Sequence, residues 1–291
     1  MIISASRRTD IPAFYAEEFM QAIRAGYFDY SNPYFPSQKK RISFSAKEID
    51  VIVFWTKNPK PLMKFLPELD QKGYKYYFQF TLNDYPISIE PNLNSIAERL
   101  QTFIDLSKKI GKDKVIWRYD PIIISKITPL EYHLRKIEFL AQQLKNHTNR
   151  MVISFVDFYK KALKSLDSIG AIDVTSDLYA KELRHLAEIV SKQGKMNSME
   201  VATCSEKVDL IDYGIRHGSC IDGALIQKLF NISKNFSKDK NQRKECNCVQ
   251  ALDIGQYNTC KYNCTYCYAS KSVRSTEVTM EVGIHESIQV G

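Results

Sequence analysis

Long apolar runs are missing from this sequence. Nowhere in its 291 residues is there the stretch of about 18 apolar residues that a membrane helix needs, and runs such as "VIVFW" are far shorter. The opening "MIISASRRTD" lacks the extended apolar core of a secretory leader, so a cytoplasmic protein is expected. Histidine is scarce too. The five histidines, His133, His147, His185, His217 and His285, are scattered, with no His-Glu-x-x-His spacing and no Ser-His-Asp order of a hydrolase. A glycine-rich phosphate loop ending in Gly-Lys-Ser or Gly-Lys-Thr is also absent.

What is present suits a globular chain. Hydrophobic residues make up 44%, enough for a full core in one large domain or two modest ones. The formal net charge of +8 leaves a surplus of Lys and Arg that suits an anionic partner. Short β-branched or aromatic runs recur: "IISAS" (2–6), "DVIVFW" (50–55), "YYFQFT" (76–81), "VIWRY" (115–119), "MVISFV" (151–156), "MEVAT" (199–203) and "VQALDI" (249–254), with a weaker one near 219–222. Runs of this length read as parallel strands buried on both faces.

Between them, "AFYAEEFMQAIRAG", "PKPLMKFLPELDQKG", "LNSIAERLQTFIDLSKKIG", "EYHLRKIEFLAQQLKNH" and "LYAKELRHLAEIVSKQG" carry helical periodicity, several ending near glycine. Asn58 before Pro59 reads as a helix cap. The alternation predicts an α/β fold, a complete or partial (β/α) TIM-type barrel, with a doubly wound open sheet as the alternative. Residues 1–270 read as a single domain and 271–291 as a short tail. The polar, basic stretch 233–245 reads as an exposed loop; it and "SQKKR" (37–41) are the places where nucleic acid could touch.

The seven cysteines are the informative residues. Five lie between Cys246 and Cys267, and in a reducing compartment clustered thiols point to metal or redox chemistry. Cys260, Cys264 and Cys267 form C-x3-C-x2-C with Tyr266 before the last. Short spacers let one loop present several sulfurs to one centre, and thiolate sulfur selects iron–sulfur clusters and zinc. Three ligands leave a fourth position open. A structural zinc site completed by Cys246 or Cys248 is the alternative, although the aromatic-flanked spacing suits it less well. Cys204, Cys220, Cys246 and Cys248 equal the number that closes a second centre, an auxiliary [4Fe-4S] cluster; buried structural thiols are the other reading.

The cysteine spacing, with its aromatic residue, resembles the signature of the radical S-adenosylmethionine superfamily. That resemblance implies a [4Fe-4S] cluster on Cys260, Cys264 and Cys267, within a loop region of about 246–268. It implies S-adenosylmethionine bound at the open iron, reductive cleavage to a 5'-deoxyadenosyl radical, hydrogen abstraction from a substrate, and a flavodoxin- or ferredoxin-type electron donor. The chain also resembles an uncharacterised bacterial domain-of-unknown-function family, through "ISASRRTDIPAFY", "VFWTKNP", "FQFTL", "WRYDPI", "CNC" and the final motif. Two departures stand out. The cysteine loop follows the last strand rather than the first, a permuted order that works if those two strands are neighbours. The superfamily's Gly-Gly-Glu run is also absent after the second strand, so cofactor contacts beyond the cysteines are not carried over.

Ligands gather at the carboxyl ends of parallel strands. There the sequence places Arg7, Arg8, Lys57, Arg118 and Asp120 as candidates for binding the cofactor or an anionic substrate. The plainer reading is that these cations pair with Asp10, Asp84, Asp120 and Asp157. Trp55, Trp117 and Tyr119 read as packing residues rather than stacking platforms. Two rival functions remain, a zinc-stabilised nucleic-acid-binding protein and a non-catalytic iron–sulfur carrier or sensor.

Overall fold

The fold is taken from a computed structural model that describes residues 1–35 and 37–270; the tail at 271–291 lies outside the described residues. The first elements are β1 (Ile2–Ala5), α1 (Ile11–Phe14), α2 (Ala16–Ala25), β2 (Tyr27–Ser31) and β3 (Lys39–Ser43). Next come β4 (Val51–Thr56), α3 (Lys60–Met63), α4 (Leu66–Gln71), β5 (Tyr76–Thr81) and α5 (Ile96–Ile110). β6 (Val115–Ile122), α6 (Leu130–Leu144), β7 (Arg150–Phe155), α7 (Leu163–Ser168) and α8 (Ala180–Met196) follow. The last are β8 (Glu200–Cys204), β9 (Arg216–Gly218), α9 (Gly223–Phe230) and β10 (Leu252–Asp253).

Eight strands form one sheet in the order β10-β1-β4-β5-β6-β7-β8-β9, with parallel neighbours throughout. The last strand therefore lies beside the first, with Ile3 opposite Leu252 and Ser4 opposite Asp253. Side chains alternate between two apolar layers, as the strand period of two requires. Ile52, Phe54, Phe78 and Trp117 join the layer that holds the inner faces of α2, α4, α5, α6 and α8. Val51, Val53, Tyr77 and Ile116 face the other layer, which α9 covers with Leu225 and Ile226.

The sheet is not a closed barrel: among the described residues β9 and β10 are its two edges and do not pair. The physical reason lies between them, where α9 and the following irregular segment occupy the second face. One backbone hydrogen bond bridges the gap, from Val249 N to Ile221 O at 3.0 Å. The expected strand at 249–254 is only two residues long, and the weak strand expected near 219–222 begins earlier, at Arg216. β2 and β3 make a separate antiparallel hairpin, which carries the basic "KKR" on a strand. Asn58 Oδ1 accepts from Lys60 N at 3.2 Å, but the cap position of α3 is Pro59, which has no side-chain cap bond, so the expected Asn58 cap is not formed. No helix among the described residues is long and apolar enough to cross a membrane.

Candidate metal and cofactor site

The carboxyl ends of β1, β4, β6, β7, β8 and β10 surround a cleft of about 670 Å³, and all seven cysteines line it. Asp253, at the end of β10, is the hub of one wall. Its carboxylate accepts from Ser4 Oγ at 3.0 Å, Ser6 Oγ at 2.6 Å, Arg7 N at 2.9 Å and Gly255 N at 3.1 Å. Arg8 adds an ion pair at 3.3 Å and donates to Gly255 O at 3.2 Å. This one side chain joins the turn after β1 to the turn after β10. Gly255 is required by closeness, because a Cβ there would lie 1.9 Å from Ser6 Oγ.

From Gly255 the chain enters the cysteine loop, which the first part of the protein holds in place. Tyr15 donates to Thr259 O at 2.7 Å, Asn92 to Lys261 O at 2.9 Å, and Thr265 N to Ile89 O at 3.0 Å. Phe14 packs on Tyr262 with ring centroids 4.6 Å apart. Asn258 and Asn263 take positive φ, a conformation asparagine tolerates better than most residues, and so let the loop turn tightly.

Tyr266 lines the cleft and its hydroxyl joins a buried ionic group. Its hydroxyl donates to Glu90 Oε1 at 2.5 Å, Lys57 Nζ pairs with the same oxygen at 2.7 Å, and Arg99 lies 3.9 Å from Oε2. The Glu90 and Arg99 side chains are only 1% and 3% exposed, so each charge depends on the others. Burial alone would lower the pKa of Lys57, but Glu90 and Cys264 outweigh it and the ammonium stays charged.

The other candidates fall as follows. Arg118 is buried, pairs with Asp120, and donates to Gln79 Oε1 at 3.3 Å and Cys220 Sγ at 3.2 Å. Burial pushes Asp120 up, yet Arg118 and a hydrogen bond from Ser154 hold its pKa below the usual carboxylate value. Arg7 lies 3.6 Å from Asp253 and 5.8 Å from the Trp55 ring, whose other cationic neighbour is Arg118 at 5.1 Å. Trp117 and Tyr119 are core residues, whereas Trp55 lines the cleft. Asp84 pairs with Lys136, Asp157 with Arg243, and Asp10 accepts from Ala13 N and Lys57 N. Burial raises Asp10 to about 7. Thus Arg118 has the partner the plain reading expects, while Arg7, Arg8 and Lys57 turn to Asp253 and Glu90. Neither acid stands out in the sequence as a site residue, though a lone charge inside the run "VQALDI" was a usable signal for Asp253.

Cys260, Cys264 and Cys267 are free thiols. Burial and then Asp10 push Cys260 up to about 12, with Cys267 adding to it. Burial also raises Cys264, with Cys267 and Cys260 contributing. Thiols whose ionisation is opposed by burial and by neighbouring groups, as at Cys260 and Cys264, are ones that a positive centre would favour as thiolates. Thr9 Oγ1, Asn258 Oδ1 and Ser270 Oγ are buried around the loop without a hydrogen-bond partner among the described residues. Among those residues no three His, Cys, Asp or Glu side chains converge on one point. The three thiols suit a three-thiolate group by their chemistry alone, since their sulfurs are not gathered around one point.

The other four cysteines lie across the cleft in one apolar cluster. Cys204 and Cys220 are in disulfide contact, whereas Cys246 and Cys248 are free. The hydrogen bond between the latter two thiols lowers Cys246 to about 6 and raises Cys248.

No curated protein matches the chain, and no solved structure matches it. The profile of a family described as "Domain of unknown function (DUF1848)" matches residues 2–269, nearly the whole length. The chain belongs to that family.

Proposed function

We propose that the protein is a radical S-adenosylmethionine enzyme, with Cys260, Cys264 and Cys267 holding a [4Fe-4S] cluster that leaves one iron for the cofactor. The observation that carries the reading is the placement of three free thiols within one tethered loop at the carboxyl end of a parallel sheet, beside β1 and lining a cleft. The β10–β1 pairing supplies the neighbouring strands that the permuted order needs. When bound, the cluster supplies one electron for cleaving the sulfonium, and a flavodoxin- or ferredoxin-type donor replaces it.

The chain's own residues bind, orient and shield. Arg7, Lys57 and Arg118 set positive charge along the walls for the carboxylate of the cofactor or for an anionic substrate. Arg8 serves instead to hold the loop through Asp253. Tyr266 fixes the segment between Cys264 and Cys267 by its bond to Glu90. Tyr257, Tyr262 and Tyr268 line the cleft and exclude water from its mouth. The basic stretch 233–245 spends part of its charge on acids of the same chain, Arg243 pairing with Asp157 and Lys234 with Asp50, which leaves less of it for nucleic acid.

The test is anaerobic reconstitution with iron and sulfide, then reduction with S-adenosylmethionine present. A change in the cluster's electron paramagnetic resonance signal and release of 5'-deoxyadenosine are expected, and both should vanish in Cys264→Ala. An intact cluster indifferent to S-adenosylmethionine would leave a carrier or sensor. Bound zinc with salt-sensitive RNA or DNA binding would point to the nucleic-acid module.

A further inference from the structure

Two chain segments meet on the wall opposite the Cys260 loop. Cys204 ends β8, and Cys220 follows the adjacent strand β9, placing their Cα atoms 6.5 Å apart. Cys246 and Cys248 lie just before β10. Ser219 Oγ donates to Asn247 O at 3.0 Å, Val249 N to Ile221 O at 3.0 Å, and Ile221 N to Cys248 Sγ at 3.4 Å. These bonds lay the Cys-x-Cys segment beside the one that carries Cys220.

We infer that Cys204, Cys220, Cys246 and Cys248 form a second metal centre, closed by four thiolates and separate from the Cys260 loop. Four sulfurs gathered from three stretches of chain are poor value as packing, since Val or Ala would fill the same space without a reactive atom. Two of the sulfurs already accept N–H groups, Cys220 from Arg118 Nη1 at 3.2 Å and Cys248 from Ile221 N at 3.4 Å. Such donors are the outer-shell support that stabilises metal-bound thiolate. Arg118 also brings a buried positive charge against a donor set that would otherwise be strongly negative. Cys204 and Cys220 cannot both ligate while bonded to each other, which is why the four do not surround one point in this arrangement. A dithiol reductant frees them by becoming the cyclic disulfide itself, so two protein thiols form for one disulfide broken. The shared chemistry is a thiophilic centre, either one zinc-like ion or an iron–sulfur cluster.

The experiment uses the full chain carrying Cys260→Ala, Cys264→Ala and Cys267→Ala, reduced anaerobically with dithiothreitol. One portion receives Co²⁺ as a stand-in for zinc, and another receives iron and sulfide. A thiolate-to-cobalt absorption at one ion per chain identifies a mononuclear site, and about four irons with matching sulfide identify a cluster. Either result supports the centre if adding Cys246→Ala and Cys248→Ala weakens binding at least 100-fold. No binding by the triple variant, with its circular dichroism unchanged, overturns the inference, as does binding indifferent to the second pair of substitutions. If the triple variant does not fold, alkylation of the unaltered chain decides. Bound metal must shield Cys204, Cys220, Cys246 and Cys248 together, and labelling of any of the four at the metal-free rate overturns it. Because the triple variant lacks the thiols of the Cys260 loop, its result stands whatever becomes of the S-adenosylmethionine reading.

Discussion

At Gly255 the absence of a side chain lets the turn after β10 lie against Ser6, whose hydroxyl is engaged by Asp253. Gly255→Ala puts a methyl group into that contact and forces the two turns apart. We expect a loss of about 1–3 kcal/mol in urea unfolding, together with weaker iron retention. His133 illustrates a different kind of constraint. Its Nε2 faces Ile123 O at 2.9 Å, and because a carbonyl only accepts, Nε2 carries the proton and Nδ1 accepts from Tyr119 at 2.8 Å. Burial lowers its pKa from 6.5 to about 4. The folded value lies below the unfolded one, so this stability is full above pH 6.5 and is lost as the pH falls towards 4. The loss is on the order of 3 kcal/mol. His133→Gln should flatten the slope of stability against pH in that window, measured as the difference from the parent chain. Buried Asp10 and half-buried Glu206, both raised to about 7, act oppositely and cancel in the difference. The cationic residues of the rim were legible in the sequence. The Asp120 partner of Arg118 was legible too, but Arg7 and Arg8 find Asp253 some 245 positions away, a separation that no local pattern encodes.

The cysteine loop is an element without regular secondary structure, held by side chains rather than by a ladder. Glu90 is its anchor because it satisfies Tyr266 and Lys57 together. Glu90→Gln leaves Lys57 and Arg99 buried without a counter-charge. A cost of about 3 kcal/mol is expected, with the reconstituted cluster lost faster on chelator challenge. An unchanged melting curve and unchanged iron retention would show that the loop does not depend on this ion group. Among the regular elements, the apolar spacing of α5 was plain in the sequence, whereas its cap, where Ser95 and Glu98 form a reciprocal box, went unread. Helices α2, α6 and α8 were equally legible through their apolar spacing, while the single stretch "PKPLMKFLPELDQKG" divides into α3 and α4. The hairpin β2–β3 was hidden because its strand Lys39–Ser43 begins with three exposed basic residues and reads as loop. The helix α9 was hidden because "GALIQKLF" is short and its stop, Asn231, is not a glycine.

For the whole molecule, sheet order was only half readable. Seven β-branched or aromatic runs implied parallel strands, and they are there. Closure was not readable, because alternation is identical in an open and a closed sheet. What decides it here is the chain between β9 and β10, which covers a face instead of extending an edge. The edge of β1 is shielded by a strand of only two residues, Leu252 and Asp253. A chain ending at residue 245 leaves that edge bare beside a sheet face that includes Ile2, Val51 and Val53. Size-exclusion chromatography should show it eluting as aggregate, and a monodisperse monomer would show that β1 needs no cover.

Asp253 and Ser6 lie 247 positions apart along the chain. During synthesis the pocket therefore lacks this wall until β10 has been made, whatever the upstream strands have done by then. Delivery of any prosthetic group must await that moment, so a nascent chain stalled short of β10 should be inert to cofactor loading.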